Sequence, residues 1–239
     1  MRKIIVIGAT SGIGKTLVEQ YAAKGYTVGA TGRRTALLEE LKRNNDNVYI
    51  KSFDVLADNS TQKLQELIDE MGGGIDVAII SSGFGKVNRE LSWEIENQIA
   101  QVNVVGFTRM CDYLFGYFCQ QGYGHLAAIS SIASIRGLDL SPAYSASKAY
   151  ISIYLEALRR KVVKSKHKKV KVTTIIPGFI KTPFINENTP TFWMADVQKA
   201  VKQMVRGLER KKRKLYVTRR WKILVILNRW IPSYLYEHL

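Results

Sequence analysis

A tyrosine and a lysine stand four residues apart in the run Tyr144-Ser145-Ala146-Ser147-Lys148. On a helix this spacing places both side chains on one face, about one turn apart. A lysine ammonium beside a phenol favours the phenolate, so it lowers a pKa that is roughly 10 in a free tyrosine. The pair is therefore a candidate proton donor and acceptor near neutral pH. Because the spacing also recurs by chance, its meaning depends on the elements around it.

Apolar runs rich in β-branched residues alternate with segments of helical length along most of the chain. Strands that are apolar throughout are typical of a parallel sheet covered by helices on both faces. The alternation has no Pro- or Gly-rich linker, so it predicts an α/β fold: one domain with a doubly wound, Rossmann-type parallel sheet. The predicted strands are 4–7, 27–30, 48–53, 77–80, 126–129 and 172–176, with a short strand near 215–218. The predicted helices lie near 13–24, 35–44, 60–71, 93–121, 142–165 and 195–210.

A glycine-rich turn follows the first predicted strand and opens the first helix. Glycines let the backbone approach a pyrophosphate, and the free N–H groups and partial positive charge of the helix N-terminus bind the anion. Since the turn follows the first strand of a βαβ unit, it predicts a dinucleotide site at the carboxyl ends of the strands. The residues of this predicted site are Gly8, Thr10, Ser11, Gly12, Ile13 and Gly14.

The end of the second strand selects between the two nicotinamide dinucleotides. An acid there would bind the ribose hydroxyls and reject a 2′-phosphate, but this chain has Gly32 followed by Arg33 and Arg34. A guanidinium matches a phosphate in charge and geometry, so the sequence predicts NADPH in preference to NADH. A merely basic surface loop is the alternative interpretation. Asp54 ends the third strand, where it is placed to accept from the adenine amino group, with Val55 packing on the ring.

With these motifs in this order, the chain resembles the short-chain dehydrogenase/reductase family over about residues 3–218. The resemblance implies that Tyr144 transfers the proton to or from the substrate oxygen. Lys148 would bind the nicotinamide ribose and lower the tyrosine pKa. Ser131 resembles the family serine that hydrogen-bonds the substrate carbonyl, and Asn103 the helix asparagine that holds a water linked to the lysine. The expected catalytic set therefore consists of these four residues.

The resemblance assigns further cofactor contacts to two other strand ends. After the fourth strand most relatives have Asn-Asn-Ala-Gly, whereas this chain has Ile80-Ser81-Ser82-Gly83, a change expected to affect local sheet stability more than chemistry. The small Ser82 still lets the nicotinamide ribose approach. After the sixth strand, the backbone near Ile180 and the hydroxyl of Thr182 are expected to hold the nicotinamide carboxamide. These additional contacts are Ser82, Gly83, Pro177, Gly178, Ile180 and Thr182.

The implied activity is that of an NADP(H)-dependent carbonyl reductase or alcohol dehydrogenase. Residues 183–195 correspond to the variable lid over the substrate and are rich in apolar and aromatic side chains. This composition suits a hydrophobic, lipid-like carbonyl substrate, and the alternative is that these side chains pack the lid on the body. A non-catalytic dinucleotide-binding regulatory or scaffold protein is the alternative. The presence of all four catalytic residues argues against it. The family habit is a homodimer or homotetramer. The apolar lid residues are Phe184, Ile185, Phe192, Trp193 and Met194.

The net charge of +16 is concentrated in two basic runs, 159–171 and 206–222. Such runs are solvated surfaces or contacts with phosphate-rich partners. Without interleaved aromatic residues we expect no nucleic-acid partner, which leaves an anionic bilayer as the partner they would favour.

The division expected is a domain over 1–218 followed by a tail over 219–239, which holds an extra amphipathic helix. In the run 221–232 nearly every residue is apolar except Lys222 and Arg229, which share one stripe, and Pro232 should end the helix. Its ~11 residues span roughly 16 Å, too little to cross a bilayer. An in-plane helix that contacts an anionic membrane through 206–236, and packing on the body or another subunit, both remain open.

The cysteines and the N-terminus indicate which structural classes and which cellular location to expect. Cys111 and Cys119 lack CxxC spacing and a nearby histidine pair, so neither a disulfide scaffold nor a metal site is expected. The apolar run after Met1 is too short for a signal peptide. The expected setting is the cytoplasm, including a peripheral position on the inner face of the membrane.

Overall fold

Seven strands form one fully parallel sheet in the computed structural model, which describes residues 2–183 and 192–238. They are β1 (Lys3–Ile7), β2 (Thr27–Gly32), β3 (Val48–Ser52), β4 (Val77–Ile80), β5 (Gly124–Ile129), β6 (Val170–Pro177) and β7 (Lys214–Val217). Their order is β3-β2-β1-β4-β5-β6-β7, so the chain reverses its direction of travel between β1 and β4. The predicted doubly wound, Rossmann-type sheet is confirmed.

Helices cover both faces of this sheet. They are α1 (Gly12–Ala22), α2 (Thr35–Arg43), α3 (Ser60–Glu70), α4 (Trp93–Ala100), α5 (Phe107–Gln121), α6 (Pro142–Lys164), α7 (Val197–Glu209), α8 (Trp221–Trp230) and α9 (Ser233–Tyr236). Successive strand residues point to opposite faces. In β1, Ile4 and Val6 pack against α1, α2 and α7, whereas Ile5 and Ile7 pack against α3, α5 and α6. Since both faces are buried, the central strands have to be apolar throughout.

The long helix predicted over 93–121 is continuous but irregular. Residues Gln101–Gly106 form a π-helical turn between α4 and α5. Such turns are rare in helices, and many of those that occur lie at functional sites. This turn contains Asn103, whose side chain is buried.

The tail packs against the body at the carboxyl ends of the strands. The side chains of Trp221 and Val225 on α8 are only 3% and 4% exposed. Helix α8 ends before Pro232, as predicted. Within the described part of the chain, no helix is both long and apolar enough to cross a bilayer.

The basic residues before β7 lie apart from the tail. The run 210–213 precedes β7 and therefore lies at the amino edge of the sheet, whereas α8 follows the carboxyl end of the same strand. A four-residue strand spans about 13 Å. The residues of 206–236 therefore lie at both ends of β7, and their contact with an anionic membrane stays a prediction.

Candidate active site

A cleft of about 1420 Å³ lies along the carboxyl edge of the sheet and is lined by residues at or just after the ends of β1 to β6. All of the predicted cofactor contacts line it, as do three of the four predicted catalytic residues. The lining predicted from sequence comprises Gly8, Thr10, Ser11, Gly12, Ile13, Gly14, Arg33, Arg34, Asp54, Val55, Ser82, Gly83, Ser131, Tyr144, Lys148, Pro177, Gly178, Ile180 and Thr182.

The glycine turn after β1 is shaped by close backbone approaches. A Cβ at Gly14 would lie 1.9 Å from the carbonyl oxygen of Gly8, and one at Gly8 would lie 2.5 Å from the amide nitrogen of Ser82. Gly8 and Gly12 also have φ angles of +86° and +52°, in the region that favours glycine. The turn thus brings the N-terminus of α1 to the floor of the cleft without side chains in the way. This cradle fits the pyrophosphate of a dinucleotide.

Two arginines border the turn at the end of β2. The Arg34 guanidinium donates to Thr10 Oγ1 (Nη2 at 2.6 Å, Nε at 3.0 Å) and to Ser11 Oγ at 2.8 Å. Arg33 Nη1 lies 3.5 Å from Asp54 Oδ2. Arg34 is therefore held over the glycine turn, and Arg33 lies beside the acid that ends β3. The cofactor cradle has a cationic border on this side, suited to a phosphate.

Tyr144 and Lys148 lie one turn apart on α6, whose first residue is Pro142, a favourable N-terminal position. Lys148 Nζ lies 5.5 Å from the centroid of the Tyr144 ring and donates to the carbonyl of Ile129 at 3.2 Å. A Cβ at Gly83 would come within 3.3 Å of the same nitrogen. The predicted pairing of the two side chains on one helix face is confirmed, and Lys148 is anchored at the end of β5.

Burial has the largest effect on the pKa values of Tyr144 and Lys148. It lowers the pKa of the Lys148 ammonium to about 8, because the charged form loses its hydration. It raises the pKa of Tyr144 to about 12, against the lowering effect of a hydrogen bond from Ser131. The net shift of the Tyr144 pKa is thus upward, opposite to the lowering expected from the resemblance, because burial disfavours the phenolate. The effect of Lys148 on this pKa stays a prediction.

The two serines after β5 have different surroundings. Ser131 lines the cleft, and its Oγ accepts from the Ala133 amide at 3.1 Å while bonding to Tyr144. Ser130 is buried, donates to the Lys148 carbonyl at 2.8 Å and bonds to Ser152 Oγ at 2.8 Å. Ser130 therefore ties β5 to α6, whereas Ser131 presents its hydroxyl beside the tyrosine.

Asn103 is buried behind the cleft wall. Its Oδ1 accepts from the Phe84 amide at 2.8 Å, and its Nδ2 donates to the Phe84 carbonyl at 2.7 Å and to Ser147 Oγ at 3.0 Å. These bonds join the loop after β4 to α6, close to Gly83 and Lys148. In this structure Asn103 positions the wall around the lysine. Its expected link to the lysine through a water stays a prediction.

The segment after β6 lies over the phosphate turn. A Cβ at Gly12 would lie 3.3 Å from the side chain of Thr182, and Ile180 forms an isolated bridge with Ala195. Of the predicted lid residues, Phe184 and Ile185 lie outside the described residues. Phe192 lines the cleft, with its ring centroid 5.2 Å from that of Trp221.

Helix α8 closes the other side of the cleft, a role that the sequence analysis missed. Trp221, Leu224, Val225 and Asn228 line the cleft. Their i, i+3, i+4, i+7 spacing defines one helix face, which packs on the body, one of the two alternatives that the sequence left open. The wall is thus largely apolar.

Arg136 holds the tail in place from the loop after β5. Its guanidinium donates to the carbonyls of Asn228, at 3.4 Å, and Ile231. It also lies 5.3 Å from the centroid of the Tyr236 ring, a cation–π contact. No pattern local to Arg136 predicts these contacts, because their partners lie more than 90 residues further along the chain.

The arrangement of metal-ligating side chains bears on whether the described residues could hold a metal ion. Across 2–183 and 192–238, no three His, Cys, Asp or Glu side chains are grouped so that they could hold a metal ion. Cys111 and Cys119 are free thiols. The polar groups that line the cleft are hydroxyl, ammonium and guanidinium groups together with the carboxylates of Asp54 and Asp139.

Comparison with known proteins agrees with this geometry. Uncharacterized oxidoreductases of Myxococcus xanthus and Mycobacterium tuberculosis are 33% and 32% identical over 216 and 219 residues. Each alignment covers 87% of this chain, and 84% and 85% of the relative.

Solved structures share the fold. A short chain dehydrogenase from Burkholderia cenocepacia in complex with NADP has a TM-score of 0.80 at 20% identity, covering 97% of this chain and 100% of that one. One from Burkholderia phymatum in complex with NAD has a TM-score of 0.83 at 18% identity, covering 95% and 92%. The sequence model of the short chain dehydrogenases matches residues 2–192. The chain therefore belongs to the short chain dehydrogenase family and is an NAD(P)-dependent oxidoreductase.

Proposed function

We propose that this protein is an NADP(H)-dependent carbonyl reductase or alcohol dehydrogenase that transfers a hydride between nicotinamide and a hydrophobic, lipid-like ketone or alcohol. One observation carries the proposal: Ser131, Tyr144 and Lys148 share a cleft with the glycine turn, and apolar side chains of α8 line the same cleft. Proton-transfer groups, a dinucleotide cradle and an apolar substrate space thus meet in one place.

The basic border of the cradle supports NADP(H) over NAD(H). Arg34 is held over the phosphate turn by Thr10 and Ser11, where its guanidinium group can reach an additional phosphate on the adenosine ribose. Relatives of known structure with this fold have been crystallised with NADP and with NAD. Asp54 accepts from the Leu56 amide at 3.0 Å and keeps its second oxygen beside Arg33. An acid that would repel a 2′-phosphate is replaced at the end of β2 by Gly32.

The chain's own groups account for the proton side of the reaction. When bound, the nicotinamide cofactor supplies or accepts the hydride. Because the pKa of Tyr144 lies near 12, its hydroxyl is protonated at neutral pH and ready to donate to a carbonyl oxygen. Ser131 bonds to the same hydroxyl, so both donors can point at an oxygen placed between them. Lys148, fixed by the Ile129 carbonyl, places its nitrogen behind the tyrosine ring.

The test is NADPH consumption by the purified protein with a long-chain 3-keto lipid and with short soluble ketones. Tyr144→Phe should reduce turnover by roughly a thousandfold or more while the Kd for NADPH stays unchanged. Tyr150→Phe is the matched control, because Tyr150 lies on the same helix and bonds to Thr108 Oγ1 at 2.8 Å. Near-normal turnover in Tyr144→Phe would refute the assignment. NADPH binding without turnover of any ketone by the wild type would favour the non-catalytic scaffold.

The proposal extends to assembly and partners. We expect a homodimer or homotetramer, in keeping with the family resemblance, and no nucleic-acid partner. The tail over 219–239 is proposed as an addition to the 1–218 domain that contacts an anionic membrane peripherally. Support for the last point comes from the apolar composition of the tail and the basic residues within it.

A further inference from the structure

Helix α8 is apolar on two opposite faces. The inner face, Trp221, Leu224, Val225 and Asn228, lines the cleft. The outer face has the same i, i+3, i+4, i+7 spacing and consists of Ile223, Ile226, Leu227 and Trp230, all of which are exposed. The Trp230 side chain is 83% exposed and that of Ile223 is 63% exposed. Since apolar side chains are stabilised by burial, the exposed outer face calls for a covering of its own.

The exposed apolar surface extends beyond α8. Tyr234 and Leu235 on α9 are exposed next to it. Contiguous exposed apolar patches are uncommon on monomers and mark sites that contact a partner or a membrane. Trp and Tyr are the residues that favour the boundary between lipid and water, because each has an apolar body and a polar tip. We call this surface, formed by Ile223, Ile226, Leu227, Trp230, Tyr234 and Leu235, the tail face.

The tail face is continuous with the mouth of the cleft. Leu138, Phe192 and Leu227 line the cleft and are at the same time exposed to the outside, between 38% and 58%. They come from the loop after β5, the segment before α7, and α8. Leu227 belongs to both the rim and the tail face. An apolar molecule entering the cleft therefore passes apolar side chains from the outer surface inward.

Charge decides which partner fits this surface. The tail from residue 219 carries Arg219, Arg220, Lys222 and Arg229 against one acid, Glu237. A second copy docked on the tail face about a two-fold axis would bring like charges together, which is unfavourable. An anionic bilayer attracts the same charges, at about 1 kcal/mol per basic residue near its surface. The ten residues of α8 span about 15 Å, so the helix lies in the interface and does not cross the bilayer.

We propose that the tail face docks on an anionic lipid bilayer and that the cleft receives its substrate directly from that bilayer. The substrate class is then a bilayer-resident lipid with a ketone or secondary alcohol on its chain. The docking is independent of catalysis, whereas the substrate class rests on the proposed reductase function. In this arrangement α8 is at once the inner wall of the substrate cleft and the part of the protein that touches lipid.

The docking is tested by co-sedimentation of the purified protein with phosphatidylcholine vesicles, with and without phosphatidylglycerol. The wild type should bind the anionic vesicles and release on addition of salt. The double variant Ile226→Ser/Trp230→Ser, the tail-face variant, should bind at least about tenfold more weakly, because it removes apolar area from the interface. Ile153→Ser/Val163→Ser, which changes two exposed apolar residues on α6, is the matched control and should bind like the wild type.

Three results would overturn the docking. The first is failure of the wild type to bind anionic vesicles, and the second is equal binding by the wild type and the tail-face variant. The third is a wild type that binds no vesicles and forms a concentration-dependent oligomer, which the tail-face variant does not form. The last would assign the tail face to a second copy.

The substrate class has a separate readout. Turnover of a short soluble ketone should be the same in the wild type and the tail-face variant, while turnover of a vesicle-borne 3-keto lipid should fall with vesicle binding. Equal turnover of the vesicle-borne lipid by both proteins would overturn entry from the bilayer. If the wild type turns over neither ketone, the reductase proposal and the substrate class fail together, and the vesicle measurement still decides the docking.

Discussion

The indole of Trp221 occupies the space beside Gly178: a Cβ at position 178 would lie 2.1 Å from Nε1 of Trp221. Gly178 follows β6 and lines the cleft at the end expected to hold the nicotinamide, and Trp221 is the first residue of α8. The rings of Phe179 and Trp221 also meet edge to face, with centroids 5.5 Å apart. The cofactor segment and the tail helix are therefore packed together, so a change in one moves the other.

Replacing Gly178 with alanine should displace Trp221 and loosen α8. A Cβ cannot coexist with the indole at its present position, and overpacking of this kind costs typically about 1–3 kcal/mol of unfolding free energy. The double variant Gly178→Ala/Trp221→Ala should recover part of this loss relative to the sum of the single variants, with a coupling energy of at least about 1 kcal/mol. Urea unfolding of the four proteins measures the cycle.

Gly116→Ala is the control for that cycle. Gly116 lies within α5, and nothing lies within 4 Å of a Cβ built there. Alanine should therefore stabilise the helix slightly, by about 0.5–1 kcal/mol. Strict additivity of Gly178→Ala and Trp221→Ala would show that the two side chains do not compete for space.

Replacing Arg34 with alanine should weaken NADPH binding more than NADH binding. The guanidinium is held at the phosphate turn by two hydroxyls, and a charge-assisted bond to a phosphate is worth about 1.5–3 kcal/mol. The Kd for NADPH should rise at least about tenfold, with a much smaller change for NADH. Lys42→Ala removes an exposed positive charge from α2 and is the control. Equal loss for both dinucleotides would show that Arg34 only stabilises the turn.

The sheet and the phosphate turn could be predicted from the sequence because their causes are local. Runs such as 77–80 are apolar throughout since helices cover both faces, and β4 has the bounds predicted. Other strands begin or end up to two residues from their predicted bounds, as β5 and β6 do. Glycines at positions 8 and 14 are required by backbone approaches that every such turn shares. Local pattern thus captured the elements that position the cofactor.

The tail and the protonation states could not be predicted in the same way. Whether α8 faces the body depends on Arg136 and Gly178, which are distant in sequence from their partners on the tail. The direction of the pKa shift of Tyr144 depends on how deeply the hydroxyl is buried, and a four-residue spacing does not carry that information. Both the placement of α8 and the pKa of Tyr144 depend on long-range packing.

The raised pKa of Tyr144 predicts the pH dependence of alcohol oxidation. In that direction the tyrosine has to accept a proton, so only the phenolate is active, and its fraction rises about tenfold per pH unit below the pKa of about 12. The kcat for oxidation should therefore keep rising between pH 7 and 9, measured at saturating cofactor. Ser131→Ala should shift the rise to higher pH, because the bond that lowers the pKa is lost. A plateau below pH 8 would show instead that the bound state lowers the tyrosine pKa, as the sequence suggested.

A buried histidine away from the cleft should set the acid limit of stability. His125 on β5 bonds through Nε2 to Thr173 Oγ1 at 2.7 Å, and that hydroxyl donates its own proton to the Lys212 carbonyl. The histidine nitrogen is therefore the donor of the pair and carries the proton of the neutral ring. Burial, with added effects of Lys211 and Lys171, lowers the pKa of His125 to about 4.

As the pH falls below about 6.5, the unfolded chain takes up a proton at His125 that the folded chain refuses. The unfolded state is therefore favoured progressively down to about pH 4, by up to about 3 kcal/mol. Urea unfolding at pH 7 and pH 4.5 should show this loss in the wild type and in His238→Gln, an exposed control. His125→Gln keeps a donor for Thr173 but cannot be protonated, so its stability should change less between the two pH values. An equal loss in His125→Gln would place the acid sensitivity in other groups.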